Sequence, residues 1–412
     1  MVSKKYTVKE AASLIGVNPE TLRRWDNDGK LIAHRNPINN YRYYKGEQLD
    51  MFTELDELQA VDQTKINYVE PVQDFKVLEL FAGAGGLAIG LEKAGLKCVA
   101  LNEYDKAACK TLRANRPEWN VLEGDVKEFS FKKYKNEADV VTGGFPCQAF
   151  SYAGKRLGFE DARGTLFYEF ARAVKEVQPA ICIGENVKGL FSHDGGRTLQ
   201  GMISILDEIG YQVVQPVQVL KAINYNVPQK RERLILVGVR KDIAEKYHYP
   251  KPSSELFTLK DALKKGRLFE VDAPKSEGTQ YPDHKKKILD LVPPGGYWRD
   301  LPIDLQKEYM KKSFYLGGGK TGMARRISWD EPSLTLTCSP AQKQTERCHP
   351  DETRPFTVRE YARIQTFPDD WVFEGSITNQ YKQIGNAVPS NLAKEIGYSI
   401  IDFLNRYYLS SL

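Results

Sequence analysis

Hydrophobic and polar positions along this 412-residue chain change their period several times, and each change marks a structural boundary. In the first fifty residues the period is helical and short. Thr7 and Glu10 have capping-box spacing and open a helix through Ala11, Leu14 and Ile15 that Gly16 ends. Asn18 is a good N-cap and Pro19 a good first helical residue, so a second helix is expected through Glu20-Thr21-Leu22-Arg23-Arg24-Trp25 until Gly29 breaks it. Leu31-Ile32 and Tyr41-Arg42-Tyr43-Tyr44 flank the turn-forming Asn36-Pro37-Ile38-Asn39-Asn40, which predicts a two-stranded wing bearing Arg35 and Arg42. The whole is a helix-turn-helix pattern with Thr21, Arg23 and Arg24 on its second helix. Residues 1–58 read as one domain, and the polar stretch 59–75, which contains Pro71, as a linker.

From Lys76 strands alternate with helices. Strand-like runs lie at Lys76 to Phe81, Lys97 to Asn102, Ala138 to Thr142, Ala180 to Gly184, Val213 to Leu220 and Leu234 to Val239, with a further short one ending at Gly124-Asp125. Helical runs such as Asp105 to Ala114 and Thr165 to Val177 separate the earlier ones, the pattern of a parallel sheet wrapped by helices. The last two strands follow each other closely and suit an antiparallel hairpin at a sheet edge. Residues 76–250 form this α/β core. Residues 251–326 lose the periodicity and carry turn clusters (Pro293-Pro294-Gly295-Gly296, Gly317-Gly318-Gly319), so a smaller irregular lobe is expected. Regularity returns over 327–412, with helices at Val358 to Thr366 and from Asn391 onward.

Composition narrows the class. With 41% hydrophobic and 27% charged residues the chain is globular, no apolar run reaches membrane-spanning length, and the start lacks a signal-peptide core, so a cytoplasmic setting without membrane contact is expected. Six cysteines are scattered without a Cys-x-x-Cys pair, which indicates neither a disulfide framework nor a zinc knuckle, and no metal site is expected. The net charge is only +5, but residues 251–326 hold 16 Lys and Arg against 10 Asp and Glu, a local net of +6 that suits a polyanion.

Candidate chemistry clusters at strand ends. Phe81-Ala82-Gly83-Ala84-Gly85-Gly86 follows a strand and precedes a helix, where glycines admit a ligand to the backbone. Glu103 ends the next strand and Asp125 follows the third, groups that ribose hydroxyls and an adenine amino group need. No basic clamp for phosphate accompanies the loop, which favours S-adenosylmethionine over a dinucleotide. Gly143-Gly144-Phe145-Pro146-Cys147-Gln148 places a cysteine in a turn at the carboxyl edge of the sheet, and Glu185, Arg231 and Arg233 can converge on it. A single cysteine is more often a buried hydrophobe, but cationic neighbours favour the reactive thiolate.

Two resemblances follow from these motifs. The first fifty residues resemble the winged helix-turn-helix of the MerR and excisionase type, which implies DNA contacts by Thr21, Arg23, Arg24 and Arg42. Residues 76–240 and 324–400 resemble the cytosine-C5 DNA methyltransferase family. The match runs through Gly144-Phe145-Pro146-Cys147-Gln148, Gly158-Phe159-Glu160-Asp161, Arg163-Gly164-Thr165-Leu166-Phe167, Arg359-Glu360-Tyr361-Ala362-Arg363-Ile364-Gln365 and Gln383-Ile384-Gly385-Asn386-Ala387-Val388-Pro389. That resemblance implies a class I S-adenosylmethionine-dependent methyltransferase with a Rossmann-like mixed sheet, the irregular lobe reading the DNA sequence. It places Phe81, Gly83, Gly85, Glu103, Tyr104, Asp125, Leu166 and Asn386 around the cofactor, and Pro146, Cys147, Glu185, Arg231 and Arg233 around the base. The motif at Arg359 is structural support.

In the implied reaction Cys147 adds to C6 of a flipped-out cytosine, Glu185 hydrogen-bonds N3, and Arg233 holds O2, with Arg231 as a supporting or phosphate contact. Gln148, Ser151, Lys155, Arg156 and Arg163 would contact duplex DNA from the loop that closes over the base. A monomer is expected on the target, with S-adenosylhomocysteine as product and a restriction endonuclease as a functional partner. The rivals are a transfer RNA methyltransferase, whose recognition region carries Cys-Phe-Thr where this chain offers only Thr337-Cys338-Ser339, and a transcriptional regulator with an idle methyltransferase core. Intact Cys147, Glu185 and Arg233 speak against the second.

Overall fold

The computed structural model describes residues 5–14, 19–27, 31–35, 41–45, 69–146, 165–316 and 320–410, the side chains of Lys5, Lys9, Ser13, Leu14, Pro19 and Thr21 excepted. Two units divide the chain, Met1–Asn67 and Tyr68–Leu412.

In the first unit β1 (Lys5–Thr7), α1 (Val8–Leu14), α2 (Pro19–Asn27), β2 (His34–Arg35) and β3 (Arg42–Lys45) follow in order. The capping box forms as the spacing predicts: Thr7 N donates to Glu10 Oε2 at 2.8 Å and Glu10 N to Thr7 Oγ1 at 3.3 Å. The wing differs from expectation. Its first strand is His34–Arg35 rather than Leu31-Ile32, because Leu31 is drawn into the unit's core beside Ala11, Leu22 and Tyr44. β1 also joins, pairing antiparallel with β3; at three residues it is too short to display an alternation.

The second unit is built on a twisted mixed sheet. Its elements begin with β4 (Lys76–Leu80), α3 (Gly86–Ala94), β5 (Lys97–Glu103), α4 (Lys106–Asn115), β6 (Val121–Glu123) and β7 (Val140–Gly144). Next come α5 (Leu166–Val177), β8 (Ile181–Val187), α6 (Arg197–Glu208), β9 (Tyr211–Val213), β10 (Gln218–Lys221), β11 (Gln229–Lys230) and β12 (Glu232–Arg240). Among the described residues the strand order is β10-β12-β8-β7-β4-β5-β6, with β9 also on β12. The five strands β4 to β8 run parallel to their neighbours, and β12 is antiparallel to β8. The predicted Val213 to Leu220 strand is in fact two: Pro216 has no N–H for the ladder, so β9 and β10 pair with different stretches of β12.

This order puts a topological switch at β4. The chain runs outward through β5 and β6, then returns to the other side of β4 as β7, opening a crevice at the carboxyl ends of these strands. Apolar clusters fill both faces, one around Phe145, Phe167, Phe170 and Val174, the other around Leu91, Ile183, Ile235 and Leu404.

The remaining elements are α7 (Leu259–Leu263), α8 (Asp283–Leu289), α9 (Ile303–Met310), β13 (Ser333–Leu334), α10 (Val358–Ile364), α11 (Ile377–Asn386) and α12 (Ser390–Ser410). Residues from Tyr281 to Ala324 have an apolar cluster of their own that includes Cys348, whereas Leu259, Ala262 and Leu263 pack with α10. One buried carboxylate, Glu346, gathers Lys285, the Tyr309 hydroxyl and the Ala324 amide inside that lobe. α12 returns to lie across α3 at very short range. A Cβ on Gly90 would stand 2.3 Å from the Ala393 Cβ, so glycine is what lets the two helices meet.

Candidate active site

The crevice holds a cavity of about 410 Å³, within the range of small-molecule sites. At one end lies the glycine loop. Phe81 has a φ of 58°, a left-handed conformation that bulky residues avoid and that costs on the order of 1–3 kcal/mol. The fold holds it there because the Ala82 amide donates to the Asn102 carbonyl at 3.0 Å, while Gly83 N donates to Glu103 Oε2 at 2.7 Å. Asp105 N donates to Glu103 Oε1 at 2.7 Å. The Glu103 carboxylate is thereby fixed by the backbone, with lone pairs left for hydroxyl donors.

Below it stands a residue that sequence reasoning missed. Glu79 on β4 is 2% exposed, lines the cavity, and its Oε2 has no hydrogen-bond partner. Burial, then the charge of Glu103, push its carboxyl well above the usual range. The signal was present: an acid inside Val77-Leu78-Glu79-Leu80, a strand buried on both faces, is out of place unless it has a ligand.

At the other end Pro146, Glu185 and Arg233 line the same cavity. Glu185 faces Ile235 across the β8–β12 ladder, and Arg233 faces Val187, so the two side chains are diagonal neighbours on one face of the sheet. Arg233 Nε meets Glu185 Oε1 at 2.6 Å, with each side chain 13% exposed. Gly144 on β7 leaves room for this carboxyl, since a Cβ there would approach Oε2 to 3.2 Å. Burial raises the Glu185 pKa and outweighs the lowering by Arg233 and Arg231. Asn186 donates from Nδ2 to the Phe145 carbonyl at 2.7 Å, which pins the backbone two residues ahead of Cys147.

Cys147, Gln148, Ser151, Lys155, Arg156 and Arg163 lie outside the described residues. Of the cofactor candidates, Phe81, Gly83, Glu103 and Asn386 line the cavity. Tyr104 is exposed, Asp125 caps the turn at 126–128 by accepting from Lys127 N, Leu166 packs on the core, and Gly85 faces Leu112 and Trp371. Arg231 does not line it. Its guanidinium is buried and donates to the carbonyls of Leu336 at 3.3 Å, Gly385 at 3.0 Å and Asn386 at 3.4 Å, so it supports the segment carrying Asn386 and is too enclosed to meet a phosphate. Burial, with Arg233 beside it, pushes it down to about 9. Arg359 likewise braces the fold by donating to the carbonyls of Pro368 and Trp371.

In the N-terminal unit Arg23 and Arg24 are exposed on α2, Arg23 paired with Glu20 at 2.9 Å. Arg42 is held by Asp26 at 2.6 Å, which draws it onto α2. Among the described residues no helix is long and apolar enough to cross a membrane, and no cluster of His, Cys, Asp and Glu could hold a metal ion.

Comparison with known proteins identifies the family of the chain. The model of the C-5 cytosine-specific DNA methylase family matches residues 75–402, and that of the MerR family regulatory proteins matches residues 7–44. The Type II methyltransferase M.Eco47II of Escherichia coli is 63% identical over 411 residues, covering 98% of this chain and 97% of its own. M.PspPI of Psychrobacter sp. (strain TA137) is 57% identical over 396 residues, 96% of this chain and 95% of its own. M.Sau96I of Staphylococcus aureus is 48% identical over 406 residues, 98% and 89%. In fold the chain is similar to a prophage-encoded DNA modification methyltransferase of E. coli (TM-score 0.58, 23% identity, 81% of this chain and 100% of that one). It is also similar to Spodoptera frugiperda DNMT2 (TM-score 0.53, 18% identity, 78% and 98%). A family match over most of the chain, relatives at this identity and a mixed sheet with its cavity at the switch point lead to one conclusion: the chain belongs to the C-5 cytosine-specific DNA methylases and is a DNA cytosine-C5 methyltransferase of mixed α/β fold.

Proposed function

We propose that this methyltransferase takes its methyl group from S-adenosylmethionine, and that Cys147 is the nucleophile that prepares a flipped-out cytosine in duplex DNA. The observation that carries the reading is one cavity with two chemically distinct ends, the Phe81–Glu103–Asn386 end and the Glu185–Arg233 end.

The residues present fit that donor. The glycine loop brings no Lys or Arg for a phosphate, Glu103 offers acceptors for ribose hydroxyls, and the unpartnered Glu79 oxygen suits an ammonium group. Bound there, S-adenosylmethionine supplies a methyl group activated by a positive sulfur.

The chain's own residues activate the base. Burial raises the Glu185 pKa toward the protonated form that would donate to cytosine N3, while Arg233 would donate to O2 and keep negative charge nearby favourable. The Cys147 thiolate adds to C6, C5 becomes nucleophilic and takes the methyl group, a base removes the C5 proton, and the carbon–sulfur bond breaks to restore the thiolate. Four other cysteines suit no such role: Cys109, Cys182 and Cys348 are buried and Cys98 half-buried, and burial pushes their thiols up, those of Cys109 and Cys182 to about 12. Reaching a stacked base requires flipping, at a cost of a few kcal/mol. The loop from Gln148 to Gly164 would close over it, and the basic lobe would read the sequence.

The wider setting follows from the relatives' names, which are those of Type II methyltransferases. The protein would act as a monomer in a bacterial cytoplasm, protecting DNA from a restriction endonuclease. The N-terminal unit would bind DNA through Arg23 and Arg24.

Duplex DNA carrying 5-fluorocytosine tests the chemistry, because the fluorine blocks the final proton loss and leaves the enzyme attached. A stable complex with the parent protein and none with Cys147→Ser is expected. Full methylation by Cys147→Ser, or trapping on RNA but not on DNA, overturns the reading.

A further inference from the structure

Two charged side chains of the cavity have no part in the chemistry above. Asp105 stands just beyond Glu103 and caps α4, its Oδ1 accepting from Ala107 N at 2.9 Å and Ala108 N at 3.3 Å. That leaves Oδ2 to face Lys382, whose Nζ lies 3.0 Å away. Lys382 belongs to α11, which is anchored to α4 independently. The neighbouring buried Gln383 accepts from Thr111 Oγ1 at 2.7 Å and donates to the Glu374 carbonyl at 2.8 Å. Two helices from distant parts of the chain are thus locked together, and the ion pair bridges the remaining gap between them.

The bridge sits at the mouth. Exposure rises from 2% at Glu79, deep in the cavity, to side-chain values of 33% at Asp105 and 56% at Lys382. Opposite charges on rigid supports at that rim stand beside the path of a ligand that enters or leaves past them.

We infer that the Lys382–Asp105 ion pair is a strap across the nucleoside end of the methyl-donor cavity, a positioning pair that slows exchange of the donor and of its demethylated product. The inference rests on the donor assignment proposed above. Neither side chain touches the transferred methyl group, so the pair acts on residence and not on the chemical step. A partly exposed pair of this kind alters exchange by a modest factor, and the effect is screened by salt.

The test uses full-length protein and S-adenosylhomocysteine, whose dissociation rate is followed by displacement. Lys382→Met removes the charge and keeps the stem. Asp105→Asn removes the charge and keeps a good helix cap. Each single variant should release the ligand about 2–5-fold faster, as an exposed pair warrants, and the double variant no faster than the faster single, since both break one contact. In steady state the change falls on KM for the donor rather than on kcat, and Lys382→Arg restores the parent rate. Raising the salt from low to about 0.5 M should speed release from the parent but not from Lys382→Met. Release at the parent rate by both variants, or effects that multiply in the double variant, overturns the strap. If the parent itself fails to bind S-adenosylhomocysteine, the donor assignment falls first and the strap with it.

Discussion

Replacing Arg233 by Met keeps most of the side-chain volume and removes the cation that faces Glu185. Burial already lifts the Glu185 carboxyl, and Arg233 is the foremost group that holds it down. Without it the folded-state pKa climbs further, while the unfolded value stays at about 4.3. A folded pKa raised above the unfolded one gives stability that is complete below the unfolded value and is lost as pH rises through the folded value. The parent stops losing stability once pH passes its own folded pKa. The variant goes on losing about 1.4 kcal/mol per pH unit until it reaches its higher one. Over the range between the two folded values the stability gap should therefore widen by up to about 1.4 kcal/mol per pH unit. Urea denaturation in steps from about pH 5 to 8 measures this. Adding Glu185→Gln removes the titrating group and should abolish the pH dependence. A gap that stays constant with pH, or one that persists in the double variant, refutes the electrostatic account of this site.

Further expectations follow from other buried contacts. Glu79→Gln should gain thermal stability over the parent as pH rises from 5 to 8, because the unfolded chain ionises there before the raised Glu79 carboxyl of the folded protein does, a loss that glutamine does not share; melting curves with a constant offset would refute it. Arg231→Ala should cost about 3 kcal/mol or more and raise the donor KM, since three carbonyls that carry the Asn386 segment lose their donor; unchanged unfolding would refute it, and Arg231→Lys should rescue little because one ammonium lacks the fork. Gly90→Val should cost about 1–3 kcal/mol by prising α3 from α12, read by denaturation and by weaker donor binding. Deleting residues 1–67 should leave methylation of a short duplex intact while weakening binding to long DNA, and equal binding by both forms would sink a DNA role for that unit.

Much of the sheet was legible in the sequence, because parallel strands buried on both faces leave unbroken apolar runs such as Ile181-Cys182-Ile183. The failures have local causes. Pro216 divides a strand whose residues looked continuous, and Leu31 looked like wing but serves the core. In the site, Glu185 and Arg233 were legible because a motif names them, and the ladder register then explains their meeting. Arg231 was not. Two arginines at alternate positions would share one face of a continuous strand, but the break between β11 and β12 falls at Arg231 and turns its side chain toward residues more than a hundred positions away. Lys382 and Asp105 escaped for the same reason, since their pairing depends on how α11 docks on α4 and not on any local pattern.

The crossing of α3 by α12 also sets when the enzyme can first work. The glycine loop and α3 are translated roughly 300 residues before α12, which at about 5–20 residues per second is a delay of about 15–60 seconds. Until the late helix arrives, Gly86 and Gly90 face an empty groove and Asn386 is missing from the cavity wall. The cavity is therefore assembled last, from the two ends of the catalytic unit. Prematurely released chains would carry the early wall of the pocket without its late one.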